Sequence, residues 1–377
     1  MRLLIVNGSD ITQIGGVNNS IRKVTRILAE KGHEITVVSL NPGELPAEEM
    51  INGVKVRRAE KKASPHLYDF SPGLNSIVKD TLDKVSKPDI VHIHGYNTLL
   101  SHEVAFLLRK RKARYVFSPH YSPLAHRRRG AGILSFFGRP LGKFVYEGAA
   151  RIVCMSQYEA ELVSRHFQLP GEKTVVIPNG VDKIELERKR VARQGQTQEI
   201  CLLYVGYVIK LKGIQFILRS LAELTIERGR NARLIVVGRG DYEGELRRLA
   251  VKLGVDNLIT WLGILTGDDL QGIYHKSDVL LLLSVSENFG TVVAEALSSG
   301  LPAIVTTNTA LQEFTQEPGC LGVSYPPDPR AVADAIQKIV ESRISTGSPG
   351  AKIRTWTRIA EDYEHLYQEI LEESTNP

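Results

Sequence analysis

The sequence predicts an α/β protein made of two doubly wound domains. Three observations carry that prediction: 377 residues favour two domains over one, the amino end reads as a strand–loop–helix–strand unit, and the same pattern restarts near residue 200. In the first unit, RLLIVN at 2–7 is an apolar run that ends in polar residues, followed by Gly15-Gly16. Val17, Ile21, Val24 and Leu28 then recur at helical spacing, and Gly32 stands where a helix stop belongs. EITVVSL at 34–40, DIVHIHG at 89–95, YVFSPH at 115–120, RIVCMS at 151–156 and VVIPNG at 175–180 continue the strand series. The polar, highly charged run at 183–199 reads as a linker, dividing a domain at 1–195 from one at 196–354.

The second domain opens with the strand ICLLYVG at 200–206, the loop YVIKLKG and the helix IQFILRSLAELTIERG. LIVVGRG at 234–240, LITWLG at 258–263 and DVLLLLSV at 278–285 are its further strands, apolar enough for burial on both sheet faces. RTWTRIAEDYEHLYQEILEE closes the chain as an aromatic-rich amphipathic helix.

Composition narrows the class. With 42% hydrophobic and 24% charged residues, the chain can bury a core and remain soluble. No stretch approaches the roughly 20 apolar residues that cross a bilayer. The apolar run in MRLLIVNGSD is too short for a secretory leader. Cys154, Cys201 and Cys320 make an odd count without metal-ligand spacing. Together these predict a cytoplasmic location. The net charge of +6 is uneven: residues 1–195 hold 31 Lys/Arg against 19 Asp/Glu, while the remainder holds 17 against 23. The first half either faces something anionic or carries a generally solvated basic surface.

The stretch SENFGTVVAEALSSGLP at 286–302 carries the chemistry. It follows a predicted parallel strand, and ligands of open parallel sheets bind beyond the strands' carboxyl ends. The sequence predicts a helix from Thr291 to Ser299, stopped by Gly300, with Pro302 beyond. The amides of Phe289, Gly290, Thr291 and Val292 would then present a helix amino terminus suited to phosphate. Glu287 and Glu295 flank that terminus. Carboxylates repel phosphate but accept hydrogen bonds from hydroxyls attached to it, so the pair fits a nucleotide sugar: ribose, two phosphates, sugar. The alternative is that both acids merely complement the helix dipole, worth roughly 0.3–1 kcal/mol each.

The stretch resembles the E-x7-E signature of retaining glycosyltransferase family 4, a group 1 glycosyltransferase family with the GT-B fold of two Rossmann-like domains facing across a cleft. GGVNNSIRKVTRILAEKGHEITVVS, DIVHIHG, FSPHYS, CMSQYEAELV, VIPNGVD and VGYVIKLKGIQFILRSLA are similar to its other landmarks, in the same order. The resemblance implies that Glu287 contacts the donor sugar, Glu295 the ribose and Lys212 the donor diphosphate. It implies that His120 reaches the sugar and the reaction centre, and that Gly15 and Gly16 line the acceptor side, Gly16 also nearing the donor phosphates. It also implies that helix 355–377 crosses back to the first, acceptor-side domain, the second binding the donor.

Two departures stand out: Tyr207 occupies a position that is usually arginine, and Asn288 one where glycine is common. Tyr207 leaves open an unusual donor, lowered activity or loss of catalysis, with Lys210 or a basic residue of the first domain as a substitute cation. His92 and His94 share one strand face and read as structural or cleft-lining, without a supporting cluster for a metal. The absence of a D-x-D triplet agrees with a metal-independent reaction that needs no cofactor beyond a nucleotide sugar. The loops around Gly238–Asp241 and Gly263–Leu265 are candidates for base recognition.

RKRKAR at 109–114 and the basic, phenylalanine-bearing 126–148 make an anionic membrane surface or a lipid acceptor a candidate partner, at the inner face of the membrane. Nucleic acid has no recognised module here. The resulting expectation is a hexosyltransferase of glycan or cell-envelope biosynthesis, acting on a glycan or lipid acceptor. A sugar-nucleotide epimerase of the same fold and a non-catalytic binding relative are the alternatives.

Overall fold

The computed structural model describes residues 1–60, 72–83, 88–96, 99–122, 142–182, 199–344, 346–347, 350 and 352–375. The chain divides into two compact units, Met1–Gly180 with Trp356–Pro377, and Val181–Thr355. The linker expected at 183–199 falls, but for its last residue, outside the described residues.

Unit 1 contains β1 (Arg2–Val6), α1 (Gly16–Glu30), β2 (Glu34–Asn41), β3 (Glu48–Ile51), β4 (Val54–Glu60), α2 (Pro72–Asp83), β5 (Ile90–His94), α3 (Leu99–Lys110) and β6 (Tyr115–Ser118). Helix α4 (142–148) follows, then β7 (Arg151–Cys154), α5 (Gln157–Phe167) and β8 (Thr174–Val176). The strand expected at 175–180 is therefore short, ending before Pro178, which has no amide proton to offer a ladder. Sheet order is β3-β4-β2-β1-β5-β6-β7-β8, parallel except for the β3–β4 hairpin. That hairpin turns on Asn52-Gly53, both with positive φ, a signal the strand series above passed over.

Two cores lie against this sheet. One gathers the α1 face, Ile21, Val24 and Leu28, with Ile359, Tyr363, Leu366 and Ile370. The latter four belong to α11 (Trp356–Thr375) and repeat at helical spacing. The other core gathers Val104 and Leu108 of α3, Tyr146 of α4 and Phe167 of α5.

Unit 2 contains β9 (Ile200–Val205), α6 (Ile214–Ala222), β10 (Ala232–Val237), α7 (Glu243–Leu253), β11 (Ile259–Gly263), α8 (Gly267–Lys276), β12 (Val279–Leu282), α9 (Thr291–Ser298), β13 (Ala303–Thr306), β14 (Cys320–Val323) and α10 (Pro329–Glu341). Its six strands are all parallel in the order β11-β10-β9-β12-β13-β14. Every residue of β9, β12 and β13 is buried, as their unbroken apolar runs require, whereas the edge strand β11 stays partly exposed.

Strand order reverses between β1 and β5 in unit 1 and between β9 and β12 in unit 2. Those reversals leave crevices at the strands' carboxyl ends, where open α/β sheets bind ligands. The two chain passages between the units run side by side. Val181 bridges Thr355 in parallel, and a Cβ on Gly180 would lie 2.7 Å from the Trp356 nitrogen. Among the described residues no helix is long and apolar enough to cross a membrane.

Candidate active site

Unit 2 places Lys212 and Glu287 at its topological switch point. Lys212 ends a short 3-10 turn that follows β9, and Glu287 lies on the loop between β12 and α9. The two loops are stitched together, since the Val285 amide donates to the Leu211 carbonyl at 2.9 Å. Gly213, φ 78°, permits that approach: a Cβ there would sit 1.9 Å from the Leu283 carbonyl oxygen. Lys212 Nζ then reaches Glu287 Oε1 at 2.6 Å, with 22% and 13% of the two side chains exposed. The hydroxyl of Ser284 donates to the same oxygen at 3.0 Å. Ser284 is held in turn, because Thr306 Oγ1 donates to its carbonyl at 2.6 Å. The sequence signalled neither: Ser284 reads as the end of an apolar strand, and Thr306 reaches the Ser284 carbonyl only through the pairing of β12 with β13.

The loop enters α9 through Gly290, φ 99°, where a Cβ would come within 2.3 Å of Leu311 Cδ2. Phe289 is buried edge-on against Phe314, with ring centroids 5.2 Å apart, and anchors the turn. The amides of Val293 and Ala294 both donate to the Gly290 carbonyl. Those of Phe289, Gly290, Thr291 and Val292 thus precede the helix's own ladder, the arrangement a phosphate uses. The helix stops one residue earlier than expected, with Ser299 as its C-cap and Gly300 at φ 75°. Asn288 is partly exposed on the loop.

Glu295 lies on the fifth residue of α9 and accepts from the Tyr274 hydroxyl at 2.8 Å. Burial, and then the Glu295 charge, push the Tyr274 phenol well up, so it remains a donor. Tyr274 is a further residue the sequence did not signal; it reads there as an apolar-face residue of α8. Tyr207 is 49% exposed and its carbonyl accepts from the Tyr204 hydroxyl at 2.7 Å. Lys210 is exposed on the same turn as Lys212. At the neighbouring strand ends, the Gly238 amide donates to the Gly263 carbonyl at 2.6 Å.

Unit 1 offers a second set at its own carboxyl edge. Gly15 is extended and Gly16 is the first residue of α1. A Cβ on Gly16 would meet nothing within 4 Å, so the protein itself does not require glycine there. The preceding loop is rigidly held. Asp10 accepts from Arg58 Nε at 2.6 Å and from the Thr12 amide at 2.9 Å. Burial alone would raise the Asp10 carboxyl, but hydrogen bonds from Arg58 and Thr12 outweigh it and hold it below its ordinary range.

His120 follows β6 with φ 49°, an uncommon backbone for a histidine. Its Nε2 lies 3.1 Å from His94 Nδ1, and its Nδ1 is buried without a protein partner. The His94 ring stacks on His92 at 4.1 Å. His92 Nδ1 is 2.7 Å from the Tyr367 hydroxyl of α11, and its Nε2 is 2.9 Å from Ser118 Oγ. Burial pushes His120 down to about 4 and, with the His120 charge, His92 to about 3. His94 is also driven well below its ordinary value by burial and by its neighbours. All three imidazoles are neutral near pH 7.

Glu159, not among the residues predicted from the sequence, bonds to the turn that carries His120. One oxygen accepts from the Tyr121 amide at 2.6 Å, directly after His120, and the other from the Met155 amide at 2.8 Å. Burial pushes its carboxyl up to about 7 despite those bonds. The Ser156-x-x-Glu159 spacing of a capping box was the available signal. Ser156 does cap α5, but Glu159 turns away to the neighbouring strand ends.

Among the described residues no group of three or more His, Cys, Asp or Glu is disposed to hold a metal ion. The basic segment at 126–148 falls outside the described residues as far as 141.

A profile described as Glycosyltransferase Family 4 matches residues 14–184, and one described as Glycosyl transferases group 1 matches 186–356. An uncharacterised glycosyltransferase of Methanocaldococcus jannaschii is 29% identical over 87% of this chain and 85% of its own. D-inositol 3-phosphate glycosyltransferase 2 of Catenulispora acidiphila is 28% identical over 77% and 73%. Among solved structures, sucrose-phosphate synthase of Thermosynechococcus elongatus superimposes with a TM-score of 0.80 at 21% identity, covering 99% of both chains. Anabaena HepE in complex with UDP-glucose gives 0.72 at 17% identity, covering 100% of both. Two parallel-sheet α/β domains, a GT-B likeness spanning the whole chain and profile matches to each half together establish that this chain belongs to the group 1 glycosyltransferases.

Proposed function

We propose that the enzyme transfers a glycosyl group, with retention and without a metal, from a nucleotide-diphosphate sugar to an acceptor hydroxyl. The observation that carries this reading is the Lys212–Glu287 contact beside the amino end of α9. Lys212 exchanges Glu287 for the donor diphosphate, and the α9 amides share the charge that grows on it. Glu287, released, accepts from sugar hydroxyls, while Glu295 accepts from the ribose. Phe289, Gly290, Thr291, Val292 and Asn288 line the diphosphate seat. His120, neutral, uses its unpartnered Nδ1 on the sugar. The anomeric C–O bond to phosphate breaks with its electrons going to the leaving diphosphate. The acceptor oxygen bonds the same carbon from the same face, and its proton passes to the departing phosphate.

The acceptor belongs to unit 1, beside Gly15 and Gly16. That Gly16 could carry a Cβ without internal clash supports space kept for a ligand. A relative named for D-inositol 3-phosphate supports a hydroxyl-rich acceptor, with glycans and lipid headgroups in the same class. The HepE complex supports a uridine donor as the first to try. A cytoplasmic enzyme meeting its acceptor at a membrane face fits this chemistry.

A thermal-shift screen of UDP-, GDP- and ADP-sugars, followed by NMR of the product anomer, tests the proposal. A product of inverted configuration, a strict divalent-metal requirement, or donor isomerised without acceptor would overturn it.

A further inference from the structure

Five cationic side chains meet at the opposite edge of the unit 1 sheet. Arg114 and Arg151 stand at the amino ends of the parallel neighbours β6 and β7. Arg109 and Lys112 come from the end of α3 and the turn after it, and Lys173 from the turn before β8. They line a concave pocket of about 390 Å³, within the ~300–1,000 Å³ range of small-molecule sites. Among the described residues of the lining the one carboxylate is Glu373, paired with Arg151.

Three of the other cations are held by neutral groups. Arg109 Nη1 donates to the Phe144 carbonyl at 2.8 Å, with its guanidinium 3.9 Å from that ring's centroid. Lys173 Nζ donates to the Glu147 carbonyl at 2.7 Å, and Arg114 Nη1 to the Ile370 carbonyl at 3.3 Å. Carbonyls fix these side chains without cancelling their charge. The pocket is therefore a net positive surface, with four of its five cations lacking a carboxylate partner among the described residues, and it favours an anion.

Position separates it from sugar transfer. His120 follows the carboxyl end of β6, while Arg114 precedes its amino end. The four-residue strand between them spans about 10–13 Å.

We infer that this pocket binds a phosphate group, as a phosphomonoester or phosphodiester, at a site distinct from the transfer site and beyond the function proposed above. The phosphate can belong to a soluble ester or to a phospholipid headgroup, and two probes distinguish them. Glycerol 3-phosphate is titrated into the full chain by calorimetry, and vesicles of phosphatidylglycerol in phosphatidylcholine are tested by co-sedimentation. Because the transfer site also attracts phosphate, the readout is the difference between native protein and variants.

The double variant Lys112→Gln/Arg114→Gln should bind at least about tenfold more weakly, and Glu373→Gln about threefold more tightly. Both differences should shrink toward about 0.5 M salt, because the Debye length falls from about 10 Å at about 0.1 M to roughly 4 Å there. Glycosyl transfer to a soluble acceptor should be unchanged in both variants. Binding of the ester alone assigns a soluble ligand, and binding of vesicles alone assigns the headgroup. Failure of both probes, a double variant equal to native, or weakening by Glu373→Gln would overturn the inference.

Discussion

The ammonium of Lys212 lies 2.6 Å from the carboxylate of Glu287, joining two loops that the chain separates by 75 residues. With only 22% and 13% of the two side chains exposed, desolvation of both charges offsets much of their attraction, so the intact pair contributes little net stability. It holds a cation and a carboxylate near the amino end of α9, as the function proposed above requires.

Glu287→Ala and Lys212→Ala should each lower turnover about 10²–10³-fold while keeping the fold, with a lowered unfolding midpoint because each leaves a largely buried charge unpaired. If the pair acts as a unit, the double variant should be much less impaired than the product of the two. Steady-state kinetics and circular dichroism melts check this. Near-native turnover by Glu287→Ala would remove its assigned role.

Two glycines should respond in opposite ways. Gly290→Ala forces a Cβ against Leu311 at a positive φ and should cost about 2–3 kcal/mol. Gly16→Ala meets no neighbour within 4 Å, so its stability should stay within about 1 kcal/mol of native while substrate binding weakens. Denaturant unfolding paired with nucleotide-sugar titration separates these outcomes. Native-like substrate binding by Gly16→Ala would count against ligand space at that position.

Acid should destabilise unit 1. His92 and His120 drop from the ordinary 6.5 to about 3 and about 4, and His94 drops as well. Folded-state values below the unfolded one mean that their contribution is complete above pH 6.5 and is lost as pH falls toward 4. Each costs on the order of 1–2 kcal/mol by pH 5. Glu159, raised from 4.5 to about 7, works the other way: its contribution is complete below 4.5 and is lost as pH rises to 7. One carboxyl offsets about one of three imidazoles, so net stability should fall from pH 7 to pH 5. Urea unfolding at the two pH values measures it, and His92→Gln should flatten the slope. Equal stability at both would contradict the burial of these rings.

Tyr207→Arg should strengthen nucleoside-diphosphate binding by several-fold, with a steeper salt dependence, since arginine adds the charge that tyrosine lacks. Calorimetry at two ionic strengths reads it. An unchanged affinity would show that the exposed turn does not face the phosphates.

Much of the fold was legible because apolar runs of strand length alternate with helical spacing, as in DVLLLLSV before the α9 helix. Glu287, Lys212 and His120 could be named as candidates because each stands in a local motif. Ser284, Tyr274 and Glu159 could not. Tyr274 and Glu159 meet partners 21 and 38 positions away, and only the folded arrangement decides which of many such pairs meet, whereas Ser284, three positions from Glu287, read as the end of an apolar strand. The β3–β4 hairpin was missed for a different reason: Asn52-Gly53 was a readable turn, but Glu48 and Glu49 made its first strand look like loop.

The paired passages at Val181 and Thr355 have a consequence for the chain's modularity. Unit 2 begins and ends at neighbouring points, as an insertion does, and its removal would leave Gly180 beside Trp356. A peptide link of one or two residues could seal either half, so each is suited to being exchanged between homologues as a cassette without redesigning the seam.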